Sequence, residues 1–292
     1  MNAETTPNPA AAPHDRFMAR WREELERSLE HLAPAEDVRP GRLHRAMRHA
    51  LFPGGKRLRP MLCLAAAELY GEVGGTALHA ACALEFFHTY TLVHDDLPCM
   101  DDDDTRRGRP TVHRAFDPAL AVLAGDALQT LSFEVLAGCA PQDPCGPGRL
   151  VAELASAGGS RGVAGGQAGD LAAAETPPDA EQLDYIHLHK TAALIRAAVR
   201  IGAMCGGARA DDLEALSEYG CELGLAFQII DDLLDTKRDG EQADYVKVHG
   251  KAEAREAAEA RTAAALAALG RIRHRDTAVL HSFAEEMLKR NV

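Results

Sequence analysis

Two long runs of this chain are apolar on most faces of a helix, and both end in aspartates. Thr76 to His94 leads into Asp95-Asp96, and Leu213 to Leu234 carries Asp231-Asp232 just before Asp235. A helix that is apolar all round has to be wrapped by other helices. Carboxylates at the ends of such helices sit close to low-dielectric surroundings and need a cation or a hydrogen-bonding partner. A fold for this chain must therefore surround two central helices and bring positive charge to their acidic ends. The makeup of the chain fits that demand: 46% of its 292 residues are apolar but only 5% are aromatic, which suits helices better than strands built on β-branched and aromatic residues. We expect an all-α fold. The length allows one large domain or two small ones, and with no long linker to divide it, residues 14–292 read as a single domain.

Residues 1–13 mix Ala, Asn, Thr and Pro without apolar periodicity and read as a disordered tail. Beyond them Phe17, Trp21, Leu25, Leu29 and Leu32 recur at three- and four-residue spacing, predicting an amphipathic helix that ends before Pro34. Besides Thr76 to His94, helices are predicted over Leu43 to Leu51, Pro60 to Tyr70, Ala119 to Leu136, Gly148 to Gly158, Ala180 to Cys205, Asp211 to Leu234 and Ala252 to Leu269, with a last one ending near Arg290. Gly- and Pro-rich breaks such as Pro53-Gly54-Gly55 and Thr176-Pro177-Pro178 separate them. No alternating strand of useful length and no fixed-period repeat is present.

A net charge of −12 sets the surface against nucleic acid and anionic membranes. Seven cysteines, odd in number and without metal-ligand spacing, read as reduced and mostly buried thiols. With no stretch of about eighteen apolar residues and no basic-then-apolar start, neither a membrane span nor export is expected. The expected compartment is the cytoplasm.

The first acidic motif is His94-Asp95-Asp96-Leu97-Pro98-Cys99-Met100-Asp101-Asp102-Asp103-Asp104, and the second is Phe227-Gln228-Ile229-Ile230-Asp231-Asp232-Leu233-Leu234-Asp235. Asp231 and Asp235 are four apart and share a helical face; carboxylates so placed repel unless a cation intervenes. Pro98 disturbs the helix of the first motif, and a bulge there would return Asp95 and Asp101 to nearly the same side. Carboxylate oxygens without a His or Cys ligand set select a hard cation. A few carboxylates completed by diphosphate oxygens and waters describe Mg²⁺. Calcium fits less well, since Asp101 to Asp104 has neither the alternating ligands nor the turn glycine of an EF-hand loop. A solvated acidic turn explains either motif alone, but not two that close apolar helices, one of them abutting Arg106-Arg107.

Gly54-Gly55-Lys56-Arg57-Leu58-Arg59-Pro60 puts three cations beside glycines just before a predicted helix, where backbone N–H groups and the basic heads can hold an anion. Arg106-Arg107-Gly108-Arg109, directly after four aspartates, can hold a second phosphate, since guanidinium forks match phosphate oxygens. Lys190 lies inside an apolar helix, and a buried lysine needs an anionic partner. Gly165-Gly166 reads as a bend or a close helix contact.

Together these residues resemble the trans-isoprenyl diphosphate synthase family, in particular its bacterial farnesyl diphosphate synthases. The matching segments are residues 54–60, 85–113, 123–136, 165–171, 189–200 and 224–235, and the resemblance runs from about Phe17 to Arg290. It implies a bundle of about ten helices around a central cavity, assembled as a homodimer. It implies that Asp95 and Asp101, supported by Asp96, hold two Mg²⁺, and that Asp231, supported by Asp232 and Asp235, holds a third. Arg106 would contact the diphosphate of the allylic substrate, with Lys190, Thr191 and Gln228 along the same molecule. These four form the expected catalytic group. Lys56, Arg59, His88, Arg107 and the backbone at Gly55 would hold isopentenyl diphosphate.

The implied chemistry is ionisation of the allylic C–O bond as metal ions withdraw charge, attack by the double bond of isopentenyl diphosphate, and loss of a proton. Tyr90 and Thr91 lie five and four residues before Asp95, roughly 6–7.5 Å deeper along the helix. An aromatic at Tyr90 implies a closed pocket floor and farnesyl diphosphate as product. Geranylgeranyl or longer-chain diphosphate synthesis is one alternative, and a non-catalytic modulating subunit is another. A terpene cyclase, which needs no second diphosphate site, is disfavoured by Lys56, Arg59 and Arg107. The chain departs from the family pattern after Asp235: aligning on Tyr245 puts Gln242 where relatives carry a lysine, with Lys237, Arg238 and Lys247 as the available substitutes.

Overall fold

The computed structural model describes residues 12–142, 145–234 and 244–289. Helices α1 (Pro13–Leu32), α2 (Gly41–Leu51), α3 (Leu58–Glu68) and α4 (Gly75–Asp95) precede a hairpin of two short strands, β1 (Thr105–Arg106) and β2 (Arg109–Pro110). Then come α5 (Val112–Ala115), α6 (Pro118–Ala137), α7 (Pro147–Gly158), α8 (Val163–Glu175) and α9 (Ala180–Ile186), followed by a π-helical turn (His187–Ala192). The chain continues through α10 (Ala193–Cys205), α11 (Ala210–Leu234), α12 (Tyr245–His249), α13 (Lys251–Leu269) and α14 (Ala278–Lys289). The all-α bundle expected from the sequence is what the chain forms.

The predicted stripe of α1 is buried at Phe17, Trp21, Leu25 and Leu29, each such burial contributing about 1.5–3 kcal/mol. The helix starts at Pro13, inside the segment read as tail, because proline suits a first helical position where no N–H partner is needed. Residues 1–11 lie outside the described ones. The two apolar runs take the central places: α4 packs on α6, α3, α1 and α10, and α11 packs on α13, α10, the π turn and α14. Tyr219, fully enclosed in α11, donates its hydroxyl to the Leu280 carbonyl at 2.7 Å and so ties α11 to α14. Small residues let helices approach closely: a Cβ on Gly202 would stand 1.9 Å from the carbonyl oxygen of Cys63, so α10 and α3 meet backbone to backbone.

Among the described residues, the short elements β1, β2, α5 and α12 were not predicted, and three larger features also differ from expectation. The single helix predicted over Ala180 to Cys205 is divided by the π turn. α8 was not predicted, because Gly165, Gly166 and Gly169 lower its intrinsic helicity; those same glycines let it dock. Finally, α6 is long and apolar enough to cross a membrane by length and composition, with a mean hydropathy of 1.4, even though Asp126 and Glu134 interrupt its apolar run. It packs on α4, α2 and α7 as a bundle helix, while Val122 and Leu123 on its outer face are 41% and 54% exposed.

Candidate active site

At the end of α4 the chain folds back on itself. The N–H groups of Met100 and Asp102 bond to the Leu97 carbonyl at 2.8 and 3.1 Å, and the Asp101 N–H returns to the Asp95 carbonyl at 2.9 Å. This is the bulge anticipated at Pro98, closed by Asp102 in a left-handed conformation with φ 50°. Burial pushes the Asp95 carboxyl up to about 7, against the pull of the Lys190 ammonium, and the neighbouring Asp101 charge adds to the rise. Burial also raises Asp101, with Lys190 opposing and Asp170 adding to the shift. These two carboxyls are short of positive charge. The other aspartates of the motif have partners: Asp96, 3% exposed, binds Arg106 at 2.6 Å, Asp103 binds Arg106 at 3.1 Å, and Asp104 binds Arg114.

Lys190, on the π turn, finds its anionic partner in Asp170 of α8 at 2.5 Å. A Cβ on Gly166 would lie 2.1 Å from the Lys190 amide nitrogen, so α8 rests directly against the π turn, the close contact expected at Gly165-Gly166. Next to Lys190, the Thr191 hydroxyl donates to Gln228 Oε1 at 2.8 Å, and Gln228 Nε2 donates to Asp232 at 3.0 Å. Asp232 also accepts from the Tyr245 N–H at 2.9 Å and lies 3.4 Å from His187 Nε2. Thr191 and Gln228 thus form one hydrogen-bonded line that ends on Asp232. Asp231 is about 100° round the helix from Asp232, and its charge acts on Arg59. Asp235, Lys237, Arg238 and Gln242 lie outside the described residues; Lys247 is exposed and pairs with Asp244 at 3.6 Å.

The basic turn between α2 and α3 divides its cations. Gly54 and Gly55 take φ of 83° and 149°, and a Cβ on Gly55 would stand 2.8 Å from Arg107 Cζ. The Arg107 guanidinium therefore lies against bare backbone and donates to the Gly54 carbonyl at 2.5 Å. Arg59 Nη1 is 3.2 Å from His88 Nε2. Burial, then Arg59 and Arg107, hold His88 well below the usual imidazole range, so the ring is neutral and accepts from the guanidinium. Burial lowers Arg59 to about 10, which leaves it charged at neutral pH, and its enclosed Nε has no partner among the described residues. Lys56 lies 5.9 Å from the Phe227 ring. Arg57, grouped with these cations on sequence grounds, belongs elsewhere: fully buried, it binds Glu26 at 2.9 and 3.1 Å and Glu85 at 2.6 Å. It joins α1, α3 and α4, and breaking such a buried pair costs about 3–5 kcal/mol.

Below Asp95 the wall is aromatic. Tyr90, 8% exposed, meets Phe87 edge to face at 4.7 Å and His94 at 5.7 Å, and Phe87 in turn meets Phe133 of α6 at 5.9 Å. Thr91 turns its hydroxyl to the His88 carbonyl at 2.8 Å.

Among the described residues no three His, Cys, Asp or Glu side chains converge closely enough to hold a metal ion unaided. Asp95, Asp101 and Asp231 nevertheless offer hard oxygen donors. That set fits a cation whose remaining positions are filled by diphosphate oxygens and water, the usual manner of Mg²⁺. Asp170 and the buried Glu85 were missed in the sequence. The one signal for Asp170 was a single charge in the otherwise uncharged run Gly165 to Leu171.

Known proteins extend these observations. Residues 40–285 match the polyprenyl synthetase family. A heterodimeric geranylgeranyl pyrophosphate synthase large subunit of Arabidopsis thaliana is 43% identical over 254 residues, covering 80% of this chain and 68% of that protein. An FPP/GFPP synthase of Zymomonas mobilis superposes with a TM-score of 0.84 at 39% identity, covering 94% of this chain and 98% of the other. A Helicobacter pylori geranyltransferase, solved with magnesium and isoprenyl diphosphate, superposes with a TM-score of 0.82 at 30% identity, covering 97% and 98%. With most of its length matched, and its acidic and basic motifs gathered at the ends of two central helices, this chain belongs to the polyprenyl synthetase family, the enzymes of isoprenyl-chain elongation.

Proposed function

We propose that the protein is a farnesyl diphosphate synthase, joining isopentenyl diphosphate to dimethylallyl and then geranyl diphosphate. The observation that carries this reading is the separation of charge into two anion sites. Asp95, Asp101, Arg106 and Lys190 define one, suited to a metal-bound allylic diphosphate. Lys56, Arg59, His88 and Arg107 define the other, a cationic cluster suited to a diphosphate that stays intact.

Asp95, Asp101 and Asp231 would hold Mg²⁺, which would supply charge neutralisation to the leaving diphosphate. Arg106 and Lys190 bind the same group through its oxygens and fix its direction of departure. As the allylic C–O bond breaks, its electron pair leaves with the diphosphate and an allylic cation remains. The Thr191 hydroxyl and the Gln228 carbonyl, already hydrogen-bonded to each other, present oriented dipoles to that cation without reorganisation. Arg59 and Arg107 hold isopentenyl diphosphate so that its double bond attacks. The new C–C bond forms, and the proton released goes to the departing diphosphate, so no protein base is needed. His88, neutral, positions Arg59.

Tyr90 supports a short product because its ring and those of Phe87 and Phe133 block the path below Asp95. A geranylgeranyl product is favoured by a different observation, the names borne by the Arabidopsis relatives. The two readings separate on incubation with Mg²⁺, labelled isopentenyl diphosphate and either dimethylallyl or geranyl diphosphate, followed by product sizing. Farnesyl diphosphate from both acceptors supports our reading, and Tyr90→Ala should then lengthen the product by at least one isoprene unit. A geranylgeranyl product from the wild type would replace it. No elongation by the folded protein would leave a modulating subunit. We further propose a homodimer with α6 covered by its counterpart, which removes Val122 and Leu123 from water; light scattering of the eluting protein tests the mass. Free thiols, most of them buried, suit a reducing compartment such as the cytoplasm.

A further inference from the structure

One side chain of α8 has no part in the reaction just derived. Gln167 is only 9% exposed, yet neither its Nε2 nor its Oε1 has a partner among the described residues. A buried amide left unmet is destabilising, and Leu or Met would fill the same space without that defect. Gln167 precedes Asp170 by three residues and so shares its helical face. Asp170 reaches Lys190 at 2.5 Å, and its charge bears on Asp101. Gly166, next to Gln167, abuts the Lys190 backbone. The buried face of α8 that carries Gln167 is thus the one that closes on the π turn and the first acidic motif.

We propose that Gln167 is a positioning residue for the metal-bound diphosphate, a reading that rests on the allylic site described above. An amide ends in a donor and an acceptor side by side. The group that satisfies it must accept from Nε2 and donate to Oε1 together. A carboxylate alone or an ammonium alone meets half of that need, whereas a hydrated cation on a diphosphate meets both: a phosphate oxygen accepts and a cation-bound water donates. The amide stays unmet until substrate arrives, and its satisfaction then helps to hold the diphosphate against Lys190. The competing account is a single buried water held by Gln167 at all times, which would make the residue structural.

Gln167→Leu and Gln167→Met, made in the full chain, separate the two. Thermal unfolding is followed with and without Mg²⁺ plus inorganic diphosphate, and KM is measured for each substrate. Both variants should unfold at or above the wild-type temperature when free. The inorganic diphosphate needed for half of the thermal shift should rise about tenfold, the weight of one charge-assisted hydrogen bond. KM for the allylic diphosphate should rise similarly, with KM for isopentenyl diphosphate unchanged. A lower melting temperature with an unaltered response to inorganic diphosphate would assign Gln167 to the buried water and overturn the proposal. Failure of both variants to fold would overturn it too, since the amide would then be holding the structure. A wild-type protein that ignores Mg²⁺ and inorganic diphosphate would remove the diphosphate site itself, and with it this role.

Discussion

At the end of α4 the aspartates are tied within their own stretch of chain: Asp96, Asp103 and Asp104 reach Arg106 and Arg114. At the end of α11 Asp232 instead reaches His187 of the π turn and Tyr245 of α12. Each motif has a buried, tethered carboxylate, Asp96 in the first and Asp232 in the second. The first is braced by its own arginines and keeps its shape whatever its neighbours do. The second takes its shape from distant elements, so a shift of the π turn that carries Lys190 and Thr191 also moves the acidic end of α11. Local bracing gives a fixed acidic turn, and distant bracing gives a coupled one.

The largest expected effect separates pocket-facing from tethered carboxylates. Asp101→Asn should lower kcat/KM on the order of 10³-fold, as removal of a group that organises transition-state charge does, and Asp232→Asn should fall well short of that. Steady-state rates in the reverse order would break the distinction. Next in size, Asp96→Asn frees Arg106 from its buried partner; KM for the allylic diphosphate should rise roughly 10-fold, and the melting temperature should fall because a buried pair is broken. Third, Asp232→Asn should cost about 1–2 kcal/mol in urea unfolding, because it weakens a buried network joining three elements. Asp103→Asn, at an exposed pair, should cost about 0–1 kcal/mol. Equal losses would mean that the second motif is no more coupled than the first. The smallest effect is chemical: Cys99, exposed in the turn of the first motif, should be alkylated first at pH 8, since the thiolate reacts and burial holds Cys139 at about 11 and Cys205 at about 12. Mass spectrometry of the labelled peptides reads the order.

The central helices and the acidic turn were legible because their signals are local: unbroken apolar runs, a proline inside a motif, aspartates at fixed spacing. Lys190 announced that it needed an anion, but nothing nearby in sequence identified Asp170, twenty residues back on a helix whose glycines disguised it. Lys56, Arg57 and Arg59 look alike as neighbours in a basic turn. Which of them is buried is decided by Glu26 and Glu85, on helices that only the folded chain brings together. The same limit hid the π turn, because a widened helix has the composition of an ordinary one.

That turn has a consequence for how the chain tolerates change in length. A π turn is a helix holding one residue more than its pitch accommodates. Deleting a single residue between His187 and Ala192 would yield a more regular helix in which α9 and α10 keep their seats while the side chains of the turn itself change direction. Lys190 and Thr191 could then no longer face Asp170 and Gln228 while α10 kept its seat against α3. The simplest repair of local geometry at this place is therefore the one that dismantles the pocket.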